Sequence, residues 1–91
     1  MPDGLTLDAE GAVWVGTGGS FQHVDAKGEV LHAIEVPGWT CIACMLGGLD
    51  GRSLFMVVSH HNHPDEIFTG KAKSRLLRTR VDVPVAPTPP P

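Results

Sequence analysis

Three imidazoles fall within four residues at His60-His61-Asn62-His63, and Asp65 and Glu66 follow closely. Such a cluster carries the donor atoms that Zn²⁺, Ni²⁺ or Cu²⁺ prefer. A flexible loop offers a metal weak preorganisation, so a solvated polar loop is the competing reading. Cys41 and Cys44 form a CxxC pair, but a zinc site needs a second pair of ligands. Residues three apart in a regular strand sit ~10 Å apart on opposite faces, beyond the ~7 Å limit for a disulfide. Buried, reduced, structural thiols are therefore expected. Asp3, in Pro2-Asp3-Gly4, is the third candidate. A carboxylate at the start of an inner strand can ligate a hard divalent cation or accept a proton, or it can simply cap its own turn. His23 and His32 stand singly on strands and read as structural.

Short strands must position these residues, because no segment keeps a 3.6-residue apolar period and little or no helix is expected. The chain repeats itself about 41 residues apart: Val13-Trp14-Val15 aligns with Leu54-Phe55-Met56, each preceded by an Asp/Gly turn. A repeat of that length built from strands suggests propeller blades. The first unit, about 3–37, reads as strands over 4–8, 12–16, 21–25 and 29–36. The second, about 39–83, reads as strands over 40–46, 53–58 and 75–83, with a polar loop over 59–73. Met56 and Val58 on one face and Phe55 and Val57 on the other suggest burial on both sides. The second unit lacks a fourth strand. The proline-rich tail, 85–91, is expected to be disordered. The expected fold is all-β, with about two antiparallel four-stranded blades of an incomplete ring. Open sheet edges then invite self-association.

Composition narrows the partners. Eleven glycines and eight prolines in 91 residues suit a turn-rich β protein. A net charge of -3 argues against nucleic acid or an anionic membrane as partner. No apolar run reaches the roughly 18 residues that span a bilayer. The start, Met1-Pro2-Asp3-Gly4, lacks the features of a signal peptide, so a cytoplasmic chain is the default. Five of the seven Lys and Arg lie between Lys71 and Arg80, but no aromatic residues interleave there for base stacking. They read as a solvated outer face. Trp14 and Trp39 read as core anchors. Gly16-Thr17-Gly18-Gly19 lacks the Lys-Ser/Thr of a P-loop.

The stretch Pro2-Asp-Gly-Leu-Thr-Leu-Asp-Ala-Glu-Gly-Ala-Val-Trp-Val15 resembles the "PDG…D.eG.lWvA" motif of the senescence marker protein/gluconolactonase/regucalcin family of six-bladed propellers. Phe21 to Val30 is similar to its next hairpin. Ile34-Glu-Val-Pro37 and Thr40 to Met56 look like its "i.vP…t.caFGG.dg.tLyvt" segment, and Arg80 to Pro84 resembles the exit of bacterial members. The resemblance covers about Pro2 to Pro84, the last third or so of a full-length member. It implies hydrolysis of a small sugar lactone with one divalent metal: Ca²⁺, or Zn²⁺, Mg²⁺ or Mn²⁺. By resemblance Asp3 is both metal ligand and general base. The family's other ligands and its substrate-binding arginine have no counterpart here, so the chain is expected to be inactive alone. A non-catalytic module that binds or self-assembles is the alternative; three copies would supply six blades.

Overall fold

The computed structural model describes residues 5–60 and 73–87. Every regular element among them is a strand. β1 (Leu5–Leu7), β2 (Val13–Gly16), β3 (Ser20–Val24) and β4 (Val30–Glu35) form one sheet. β5 (Thr40–Gly47), β6 (Ser53–His60) and β7 (Lys73–Arg80) form a second. Both are antiparallel meanders in chain order. The all-β expectation and the 41-residue repeat are thus realised as two successive blade-like sheets, of four strands and of three.

Aspartate-led turns connect the strands. Asp8 accepts the backbone N–H groups of Glu10 and Ala12 on Oδ1. Asp25 repeats the pattern with Lys27 and Glu29. In both turns the glycine three residues on, Gly11 or Gly28, closes the loop onto the aspartate carbonyl at positive φ. A side chain there would be strained, so the Asp-x-x-Gly spacing is a backbone requirement.

The two sheets meet face to face. Alternation sends Trp14, Phe21 and Ile34 of the first sheet inward, against Cys41, Cys44, Leu46, Leu54, Met56 and Val58 of the second. The sheets approach closely at Gly16, where a Cβ would lie 2.7 Å from the Cys41 carbonyl oxygen. The Cys41 N–H donates to the Gly18 carbonyl at 2.6 Å. Trp14 stands against Cys44 and Thr6 against Leu46. β2 therefore runs opposite to β5, and β1 runs in the same direction as β5.

Two details differ from the sequence expectation. Ile42 is an extra residue in β5, between Cys41 opposite Val58 and Ala43 opposite Val57. This bulge turns Cys41 and Cys44 onto the same inner face; both are buried and neither is in a disulfide. Burial of both thiols is as expected, but the opposite-face argument fails at the bulge. Burial pushes the Cys44 thiol up to about 11, with a smaller contribution from Cys41, so neither is poised as a nucleophile. The tail also starts later than expected. Val85 pairs with Asp8, and the Ala86 N–H donates to the Leu7 carbonyl at 3.0 Å. Residues 85 and 86 are thus held against β1, and 88–91 lie outside the described residues.

The outer sheet faces are less covered than the second repeat suggested. Met56 and Val58 are buried, but Val57 is exposed on the other side of β6. Met45 at 63% and Leu76 at 68% extend that open apolar face. On the far side of the first sheet Leu7 and Leu31 are exposed as well.

Candidate functional site

Register assembles a row of side chains across the first sheet. Thr6 lies opposite Trp14, Trp14 opposite His23, and His23 opposite His32. All four point toward the second sheet. The Trp14 indole stacks on the His23 imidazole with centroids 4.5 Å apart and planes within 7°. At the end of this row the sheets part around a cavity of about 330 Å³, walled by Trp14, His32, Ile34, Thr79, Val81 and Val83 among others.

Asp8 anchors the row from behind. It is 1% exposed, and its Oδ2 lies 2.6 Å from His23 Nε2. Three N–H donors, two of them backbone, converge on its two oxygens. His23, itself buried, has its other nitrogen 3.1 Å from His32 Nδ1. Since an ionised carboxylate only accepts, His23 Nε2 donates to Asp8. In neutral His23 the Nδ1 is then an acceptor, and His32 Nδ1–H donates to it. With His23 neutral, the network thus leaves the remaining lone pair on Nε2 of His32, which is exposed on the edge strand. The arrangement runs from a buried carboxylate through a buried imidazole to an imidazole at the cavity surface.

The candidates singled out in the sequence fare differently. Asp3, His61, His63, Asp65 and Glu66 lie outside the described residues. His60, expected in a loop, is the last residue of β6 and packs against Trp39 at 5.4 Å. Arg75 sets its guanidinium over the same indole at 5.2 Å, and Arg80 pairs with Asp50. Two members of the basic run therefore have internal partners. Among the described residues no three His, Cys, Asp or Glu side chains are arranged to hold a metal ion. The Asp8–His23–His32 chain illustrates why: its donor atoms face one another in series and do not converge on a shared centre.

Residues 1–60 match the family described as SMP-30/Gluconolactonase/LRE-like region. The chain belongs to that family. An uncharacterised protein of Sulfolobus acidocaldarius is 32% identical over 68 residues, covering 71% of this chain and 24% of that protein. YvrE of Bacillus subtilis, which carries the name "Putative sugar lactone lactonase", is 31% identical over 62 residues, covering 65% of this chain and 21% of that protein. The chain thus spans less than a quarter of the length of these relatives. No solved structure matches it.

Proposed function

We propose that this chain contributes part of a metal-dependent hydrolase acting on a small sugar lactone, with Asp3 as metal ligand and proton acceptor. The observation that carries this reading is the family match over residues 1–60, which includes Pro2-Asp3-Gly4; the name carried by YvrE gives the substrate class. The described residues do not supply a ligand set for the metal, and the Asp8 carboxylate is committed to its turn and to His23. The remaining ligands must come from outside these residues. The metal's own chemistry would be to polarise the lactone carbonyl and acidify water. Hydrolysis of a sugar lactone by a protein that joins this chain to the segments supplying those ligands, with and without Ca²⁺, Mg²⁺, Mn²⁺ and Zn²⁺, tests the assignment. A metal-stimulated rate falling about 10²-fold in Asp3→Ala is the expected result. Equal rates in wild type and variant would remove Asp3 from the reaction.

The exposed apolar faces favour a second reading, in which copies of the chain assemble. Met45, Val57 and Leu76 on one sheet and Leu7 and Leu31 on the other are different surfaces, so their contact would be head-to-tail and could close a ring. Light scattering should then show a monodisperse oligomer, with a trimer giving six sheets. A monomer at high concentration would rule this reading out.

A further inference from the structure

We propose that His32 is the terminal base of a second hydrolytic site, in the cleft between the two sheets, which acts on small esters without a metal. The argument begins with what Asp8 does beyond its turn. Asp25 builds the same turn with the same two backbone donors, Lys27 and Glu29, in an exposed setting. The turn therefore does not need a histidine. At Asp8 the carboxylate is buried and its second oxygen fixes His23 Nε2 at 2.6 Å. Trp14 stacked at 4.5 Å fixes the ring plane. His23 in turn sets the tautomer of His32 through the 3.1 Å contact. A base oriented by a second group, itself held by a buried carboxylate, is the arrangement by which imidazoles are activated toward water.

The cavity supplies the rest. At about 330 Å³ it sits at the small end of ligand sites. Ile34, Val81 and Val83 offer apolar walls, while Thr79, Arg80 and Asp82 are the polar residues on the β7 side, Arg80 being paired with Asp50. These features suit a small neutral ester or lactone with an apolar body. In the reaction, His32 Nε2 takes a proton from water as the water oxygen bonds to the carbonyl carbon. The positive charge is shared along the His32–His23 contact and balanced by Asp8. The tetrahedral intermediate then loses its alcohol oxygen as the acyl C–O bond breaks. The proton on His32 Nε2 goes to that leaving oxygen. Ester and water give acid and alcohol, with His32 restored. His23 and Asp8 are positioning residues and do not touch substrate.

The probe is p-nitrophenyl acetate with the full chain in excess EDTA, which separates this site from the metal-dependent reaction above. The expected result is turnover that falls about 10²-fold in His32→Gln, an exposed edge-strand change that spares the core. Unchanged turnover in that variant, or no turnover above buffer in wild type, would overturn the proposal. A second measurement needs no folded core variant: imidazole ¹⁵N shifts should report His32 of the wild type as the Nδ1–H tautomer. Finding Nε2–H would overturn it equally. His23→Phe keeps an aromatic ring against Trp14 and removes the relay; there His32 should revert to Nε2–H and turnover should fall with it.

Discussion

Replacing Asp8 by alanine is expected to destabilise the protein by about 3–5 kcal/mol, the range found when one member of a buried ionic or strongly hydrogen-bonded pair is removed. Three donors lose their acceptor at once: the N–H groups of Glu10 and Ala12, and His23 Nε2. His23 is 5% exposed and stands behind Trp14, so water cannot easily replace the lost carboxylate. The Asp8 turn also carries the C-terminal strap, because Ala9 N–H donates to the Pro84 carbonyl at 2.8 Å. Domains have only ~5–15 kcal/mol to lose, so the change approaches the whole stability. Urea unfolding followed by tryptophan emission measures it. Asp25→Ala is the control, since that turn has the same two backbone contacts without burial or a histidine partner. It should cost roughly 0.5–1.5 kcal/mol. If the two variants unfold at the same urea concentration, the buried pair contributes nothing beyond its turn.

Much of the fold was legible because it depends on local rules. Apolar alternation and Asp/Gly turns placed all seven strands within a few residues, and the 41-residue repeat separated the two sheets. What escaped were features set by pairing. His23 and His32 look isolated when each strand is read alone. Yet the hairpin around Ala26-Lys27-Gly28 pairs Phe21 with Ile34, and the same register brings residue 23 opposite residue 32. Alternation from Trp14 further places both histidines on the inner face of the sheet, with His23 buried and His32 at its open edge. The bulge at Ile42 is different in kind. Nothing local in Thr40-Cys41-Ile42-Ala43 announces it; it follows from the way β5 must meet both β6 and the Gly16–Gly18 edge of the first sheet. Val85 and Ala86 were lost to composition, since a proline-rich stretch says nothing of the two N–H groups that remain to pair with Gly51 and Leu7. For the proposed metal site, the family motif singles out Asp3, but a single carboxylate cannot reveal where its co-ligands come from.

Phe21→Ala should be the most damaging apolar truncation, at about 3–5 kcal/mol. Phe21 is fully enclosed, on β3 opposite both Gly16 and Ile34. Its ring edge would lie 3.3 Å from a Cβ at Gly16, where the first sheet comes close to Cys41. Removing the ring therefore opens a void where the two sheets approach closely. Backbone hydrogen bonding there, from Cys41 N–H to the Gly18 carbonyl, resists collapse of the walls into that void. A cavity that cannot relax retains its full cost, which places this site toward the upper end of the range. Met45→Ala on the exposed outer face supplies the contrast. In the separate chain it should change stability by no more than about 0.5 kcal/mol. In an assembled form that covers Met45 the same truncation should cost several times more, so the ratio of the two variants, measured across protein concentration, reports whether the outer face finds a partner.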